Sequence, residues 1–336
     1  MSINPTRAAQ EQALIAQTRP FATEHQATSW LHVLSTLGIL AAGFAVAGAA
    51  PWWPVRLAGS LFTAGMLIRT FILFHDHMHG SLLRGSKPGK ALFSVLGVLM
   101  LTPPRVWAAT HNHHHANTGR LSARPEGTFT LWTVQQWRAA SLKARVAYVL
   151  ERHPVTMAMG LLTVFVFGLC LIPFVRDPRK NLSAGLAALV HVALTVGVIA
   201  LFGVQTYLFA MLVPMVLAYA FGSYLFFVQH NFEEALVREE SDWSHAAGAV
   251  EASSYLSLGP VGHWFSGNIG YHHVHHLNPR IPFYRLPEAM EAIPALQDAR
   301  VARLTPREVW KSLTRLDLWD HQAGRFVSFR EARPTA

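Results

Sequence analysis

Histidine is the residue type out of proportion in this chain, with 19 among 336 residues against a single cysteine, Cys170. Eleven of them crowd into three five-residue windows: His75, His77 and His79; His111, His113, His114 and His115; His272, His273, His275 and His276. On a helix, residues i, i+3 and i+4 share one face. His75 and His79 stand four apart, His111, His114 and His115 have the i, i+3, i+4 pattern, and His272, His275 and His276 repeat it. Eight imidazoles can thus converge from three helix ends, and His230, directly after an apolar run, makes a natural ninth. Neutral imidazole is the commonest metal ligand. Nine are too many for one ion, because a catalytic zinc usually takes three protein ligands. Two transition-metal ions with roughly four or five imidazoles each fit better.

Among metals, iron suits imidazole donors and leaves an open position that can hold dioxygen. The Glu-x-x-His signature of carboxylate-bound di-iron bundles is missing from the apolar runs, and so is the His-Glu-x-x-His zinc motif. One cysteine excludes disulfides and cysteine-based metal sites. The pattern favours an all-histidine di-iron centre embedded at a membrane.

The elements that must position these histidines are apolar. The chain is 51% hydrophobic and 14% charged, and its mean hydropathy of +0.24 argues against a water-soluble protein. The net charge is +9, but the basic residues lie between apolar runs rather than along one recognition element, so nucleic acid is not the expected partner. Long apolar runs cover Trp30–Ala50, Val55–Phe74, Pro154–Val175, Ala184–Val204 and Thr206–Gln229, each near the ~20 residues that cross ~30 Å of hydrocarbon. Ala91–Thr102 is too short to span and meets Pro103-Pro104, which reads as a re-entrant or buried segment. Arg176, Arg179 and Lys180 set the connection after the third long run in the cytoplasm, by the positive-inside rule. If all five long runs crossed, His75 and His230 would lie on opposite faces. Gly160, Gly168 and Pro173 let Pro154–Val175 be a broken, interfacial element instead. The expectation is an all-α integral membrane protein with four transmembrane helices in two hairpins, re-entrant or interfacial helices, and a cytoplasmic helical cap. All Lys and Arg except Arg56 and Arg69 then face the cytoplasm.

At this point the residues carry a family resemblance. His75-x3-His79-Gly80-Ser81, His111-x2-His114-His115 and His272-x2-His275-His276 resemble the three histidine boxes of the membrane fatty acid desaturase superfamily. The stretch Trp264–Pro279, the Phe227–Glu233 element around His230 and the Leu318-Trp319-Asp320 tail resemble the bacterial acyl-lipid desaturases of the delta-5, delta-12 and omega-6 group. The likeness covers roughly residues 30 to 330. It implies a domain at 30–322, behind a polar cytoplasmic segment 1–29 and ahead of a loosely ordered tail 323–336. It also implies a reaction in which dioxygen and two electrons remove two hydrogens from a membrane-lipid acyl chain, leaving a cis double bond and water. The ligands it implies for two irons are His75, His79, His111, His114, His115, His230, His272, His275 and His276. Asp76, Glu233 and Asn268 are candidates to hold the second nitrogens of such ligands. His77 and Met78 depart from the usual first box, and His77, His113 and His273 are not assigned as ligands. Phe71, Phe74, Phe226, Phe227, Tyr271 and Trp264 are candidate channel walls. The nearest rival is a hydroxylase, ketolase or alkane monooxygenase on the same scaffold.

The electrons must come from outside. No Gly-x-Gly-x-x-Gly fingerprint, iron–sulfur cysteine set or His-Pro-Gly-Gly haem element is present. A separate ferredoxin- or flavodoxin-type donor is expected, and Arg84, Lys87, Lys90, Arg105, Arg120 and Arg124 form a basic rim suited to an acidic one. No secretory signal opens the chain, and the expected location is a bacterial inner membrane with the site on the cytoplasmic side. His191, mid-run, is expected to pack or line a channel rather than bind iron. His25, His32, His153, His245, His263 and His321 are expected at surfaces or interfaces.

Overall fold

A computed structural model of the chain describes residues 5–121, 127 and 129–333. The first half runs α1 (Pro5–Thr18), α2 (Gln26–Ala49), α3 (Trp53–His79), α4 (Lys87–Leu99) and α5 (Pro104–Asn117). Next come α6 (Val134–Ala139), α7 (Leu142–Arg152), α8 (Pro154–Ala158), a π-helical stretch Leu161–Leu171 and α9 (Ile172–Arg176). Two long apolar helices follow, α10 (Leu182–Tyr207) and α11 (Val213–Val228), joined by the π-helical turn Leu208–Leu212. The C-terminal part holds α12 (His245–Glu251), α13 (Gly259–Phe265), α14 (His272–Leu277), α15 (Leu286–Ala292), α16 (Pro294–Gln297) and α17 (Pro306–Thr314).

Three helical segments among the described residues are long and apolar enough to cross a membrane: α2, α3 and the 47-residue Leu182–Val228. That last segment is interrupted at Gly203, whose φ of 83° and ψ of 164° lie outside helical space. The chain reverses there. His191 on α10 and Tyr219 on α11 bond to the consecutive carbonyls of Leu99 and Met100. Leu186, Leu189, Val192, Val196, Leu201 and Phe202 along α10 are all exposed. An apolar face of this extent is stable only against lipid, which makes the protein an integral membrane protein.

Helix boundaries follow local chemistry. Gly80 ends α3 in the left-handed conformation (φ 71°), and its N–H reaches back to the carbonyls of Asp76 and His77. Ser86 caps α4 through the Gly89 N–H. Pro103-Pro104 cannot continue α4, and α5 leaves at 91° to it. The α2/α3 contact is so close that a Cβ on Gly59 would lie 2.8 Å from the Ala47 backbone nitrogen. Small residues allow that approach where lipid offers no hydrophobic drive between helices. Pro154–Val175 is not one long helix but α8, the π-helical stretch and α9; the Leu161–Arg176 part is short of a full span.

The chain is mostly helical, as expected, and among the described residues four three-residue strands add to the helices. β1 (Tyr255–Ser257) runs parallel to β2 (Val301–Arg303), with Leu256 opposite Ala302. β3 (Leu318–Asp320) runs antiparallel to β4 (Arg325–Val327), with Trp319 opposite Phe326. The tail is accordingly ordered through Arg333, against the loose order expected from residue 323: Phe326, Val327 and Ala332 are buried. At the other end, the segment before α2 is tied down as well. Asn278, just past the third histidine box, donates to Thr18 Oγ1 at 2.9 Å, and Glu24 accepts the N–H groups of Leu83 and Arg84.

Arg152 fastens α7 to the residues around the last box element and the tail. Its guanidinium is buried and donates to Thr130 O at 2.8 Å, Asn231 Oδ1 at 2.6 Å and Leu316 O at 3.0 Å. Arg152→Met keeps the apolar stem and strands two acceptors, Thr130 O and Asn231 Oδ1, while Leu316 O keeps the Asn231 amide at 3.1 Å, for an expected loss of about 2–4 kcal/mol. Thermal unfolding of the detergent-solubilised protein checks this; an unchanged midpoint contradicts it.

Candidate metal centre

The nine histidines come together in two groups. His75, His79, His111, His115 and His275 form one, and His114, His230, His272 and His276 form the other, with the ligand nitrogens of each group within 4.8 Å of one another. The helical period explains the division. Each i, i+4 pair (His75/His79, His111/His115, His272/His276) stays within one group, while His114 and His275 turn toward the other group from the one their neighbours serve. α5 and α14 therefore contribute to both groups, α3 only to the first, and His230, just past α11, only to the second.

Hydrogen bonds at Nδ1 fix several tautomers. His75 Nδ1–H donates to Asp76 Oδ1 at 3.0 Å, and the other Asp76 oxygen accepts the Phe283 N–H at 2.7 Å. His230 Nδ1–H donates to the Ala252 carbonyl at 2.9 Å. Thr118 gives its hydroxyl proton to His114 O at 2.8 Å, so it accepts from His276 Nδ1–H at 3.2 Å. These contacts leave the lone pairs of all three rings on Nε2.

That arrangement is uncomfortable unless a cation sits among the lone pairs. His272 Nε2 lies 2.9 Å from His230 Nε2 and 3.0 Å from His276 Nε2, and could donate a proton to only one of them. His114 Nε2 lies 3.0 Å from His230 Nε2, and in the other group His115 Nε2 lies 3.0 Å from His111 Nε2 and 3.1 Å from His275 Nε2. Nitrogens bound at about 2.1 Å to one ion and at right angles stand about 3.0 Å apart. His79 Nε2 is buried without a hydrogen-bond partner. Donor chemistry and spacing both fit two ions. Burial, together with the nearby imidazoles, holds His272, His275 and His276 well below the ordinary histidine pKa, and burial pushes His230 down to about 4. The rings are neutral and metal-competent at physiological pH.

Of the three outer candidates, only Asp76 touches one of the nine clustered histidines. Glu233 is exposed and paired with Lys311 on the surface, because the turn after His230 carries it away from the cluster. Asn268 donates to Phe283 O at 3.0 Å and so reaches His75 only through Phe283 and Asp76. Thr118 and the Ala252 carbonyl take the places expected of Glu233 and Asn268. A backbone carbonyl has no residue type to announce it. Trp107 stacks on His111 with ring centroids 4.3 Å apart, and no local spacing marks it.

The other histidines have structural partners. His77 Nδ1 donates to Leu82 O at 2.9 Å and stacks on Phe93, His273 Nε2 donates to Leu296 O at 3.0 Å, and His191 Nε2 donates to Leu99 O at 2.7 Å. The His113 carbonyl accepts the Asn117 amide. His263 is buried against Tyr255, not at the surface. In the basic rim, Arg120 is committed to Glu240, and Arg124 lies outside the described residues.

An apolar cavity of about 410 Å³ opens beside the first group, with His111, Trp107, Phe71, Phe165 and Phe226 in its wall. A more polar cavity of about 260 Å³ meets it at Phe129 and Phe226 and reaches His114 and His230. Of the other wall candidates, Phe227 lines the polar cavity, Phe74 packs on Trp107, Tyr271 on Tyr255, and Trp264 lies under the Arg69 guanidinium.

Known proteins place this site in context. The fatty acid desaturase family profile matches residues 50–307. The chain is 35% identical to a fatty acid desaturase of Bacillus subtilis over 277 residues, 82% of this chain and 78% of that protein. It is 23% identical to an sn-1 oleoyl-lipid 12-desaturase of Synechocystis over 77% of this chain and 73% of that protein. It is 26% identical to an sn-1 acyl-lipid omega-3 desaturase (ferredoxin) of Nostoc over 76% and 70%. The chain belongs to the fatty acid desaturase family and is an oxidoreductase of the desaturase kind.

Proposed function

We propose that the protein introduces a cis double bond into the acyl chain of a membrane lipid, with two histidine-bound irons as cofactor and a separate ferredoxin- or flavodoxin-type protein as electron donor. The five-histidine group holds one iron and the four-histidine group the other. Once bound there, the irons supply the binding and reductive activation of dioxygen. The redox balance is closed: two C–H bonds give two electrons, the donor gives two more, and with two protons from solvent dioxygen becomes two waters.

The observation that carries this reading is the apolar cavity that begins at His111. It suits a hydrocarbon chain, and its aromatic walls exclude water from reacting carbons. The polar cavity joined to it at Phe129 and Phe226 suits the ester and headgroup end. Trp107 braces His111 from one side, and Thr118 orients His276 from another. The reading includes four crossings in two hairpins, α2/α3 and α10/α11, with the histidines at the cytoplasmic face of a bacterial inner membrane. The reversal at Gly203 and the basic residues around the boxes support it. The donor assignment draws on the ferredoxin named for the Nostoc relative.

Expression in a host with a compatible ferredoxin, followed by gas chromatography–mass spectrometry of fatty-acid methyl esters from separated lipid classes, tests it. New cis-unsaturated chains on glycerolipid are expected. Hydroxy or keto products would move the reaction to oxygen insertion. No new acyl product from iron-loaded protein with a working donor would overturn the reading.

A further inference from the structure

Behind the apolar cavity at His111 lies another, of about 610 Å³, between α2, α3, α4, α10 and α11. It is almost wholly apolar, with Leu40, Phe44, Leu194, Val198 and Phe202 in its walls. Three residues line both cavities: Leu67, Met100 and Tyr219. They are the partition between two spaces that together exceed what either offers alone.

The partition is held in place by backbone chemistry. α4 ends inside the helical bundle, and carbonyls past a helix end need donors where no water reaches. Three consecutive carbonyls are each taken by a different helical segment. Leu99 O accepts from His191 Nε2 on α10 at 2.7 Å, Met100 O from the Tyr219 hydroxyl on α11 at 2.6 Å, and Leu101 O from Cys170 Sγ on the π-helical stretch at 3.6 Å. The Tyr219 ring is wedged further by Phe165, whose centroid is 4.1 Å away. Leu101 is left with φ 53°, a conformation a leucine keeps only when its surroundings demand it.

An acyl chain that enters past His111 meets this wall end-on. The space between the histidines and the wall fixes how many methylenes fit beyond the reacting carbons. We propose, resting on the desaturase reading above, that Leu67, Met100 and Tyr219 form the stop that measures the methyl end of the acyl chain. The 610 Å³ cavity behind them is the room a longer methyl end takes once the stop is cut back.

The test uses full-length protein in a host supplied with saturated fatty acids of stepped length, with the products of each length quantified as methyl esters. Leu67→Ala and Met100→Ala remove side-chain volume and leave every hydrogen bond of the wall intact. Each is expected to raise the ratio of longer to shorter unsaturated products by ~10-fold, or to move the double bond away from the methyl end, because one methylene in an apolar pocket is worth about 10–200-fold. Tyr219→Phe keeps the ring in the wall and loses only the bond to Met100 O, and is expected to shift the ratio in the same direction but by less than either alanine variant. Val198→Phe, added to Met100→Ala, refills the far cavity and is expected to restore the wild-type ratio. Wild-type ratios in both alanine variants, with unsaturated products still formed, overturn the inference and leave the desaturase reading standing. A shift in Tyr219→Phe without one in the alanine variants also overturns it, since the hydroxyl and not the wall would then set length. Absence of unsaturated product from the wild type strikes the desaturase reading itself, and the stop with it.

Discussion

His230→Ala is expected to leave about one iron per chain in place of the two proposed for the wild type, and to lower desaturation by more than the ~10–100-fold that loss of a supporting contact costs. The four-histidine group is the vulnerable one, because each ring there is a quarter of the donor set. Within it His230 is the hinge: its Nε2 stands 3.0 Å from His114 and 2.9 Å from His272. It is also the one ring of that group outside the α5 and α14 boxes, so no helical neighbour can swing in to replace it. Its Nδ1 is spent on the Ala252 carbonyl. Metal analysis of the purified protein alongside methyl-ester profiling reads both effects. His273→Gln is the companion variant, because that ring faces Leu296 O rather than the cluster; it is expected to keep both irons. Two irons and near-wild-type product from His230→Ala would remove His230 from the ligand set.

The contrast between those two histidines shows what a chain of letters can and cannot carry. The i, i+4 spacing of His75/His79, His111/His115 and His272/His276 is a local property of a helix, so the pairing of these rings is legible in the sequence. Which group His114 and His275 join was not legible. It depends on the rotation of α3, α5 and α14 about their axes, set by packing among residues far apart in sequence. Membrane runs were legible from length and hydropathy, while the break of Pro154–Val175 into α8, a π-helical stretch and α9 was visible only as scattered Gly and Pro. The short strands left no trace, since three residues are too few for a two-residue period to show. β1 and β2 in addition meet from positions 46 residues apart, as the Tyr255↔Val301 pairing shows. The same limit explains the tail, where Phe326 and Val327 looked like isolated apolar residues until β3 and α7 supplied their neighbours.

Outer contacts to the histidines divide in the same way. Asp76 follows His75 directly and points at its ring, so adjacency was a sound guide. Glu233 is three residues past His230 but leaves with the turn, and Lys311 takes it. The substitutes, Thr118 and the Ala252 carbonyl, come from a helix end and a loop with no acidic residue to mark them.

Asp76→Asn is the second substitution with a large expected effect, although it changes the volume hardly at all. Asp76 is buried, and both of its oxygens accept: one from His75 Nδ1–H, the other from the Phe283 N–H. An asparagine has one acceptor oxygen and one NH₂. In either flip, its NH₂ faces an N–H donor and one of the two bonds becomes a repulsion. If the His75 side loses, the ring can reverse its tautomer and turn its lone pair away from the five-histidine group. If the Phe283 side loses, the segment that Asn268 also holds through Phe283 O comes loose beside the first box. Either route weakens iron binding in that group by about 10–100-fold, as expected for a contact that orients a metal-bound histidine. Titration of iron-depleted Asp76→Asn with ferrous ion should therefore show one site weakened by that factor and the four-histidine site unchanged. Equal affinities for both sites in wild type and Asp76→Asn would show that His75 is oriented by its packing against Trp107 and His79 and not by the carboxylate.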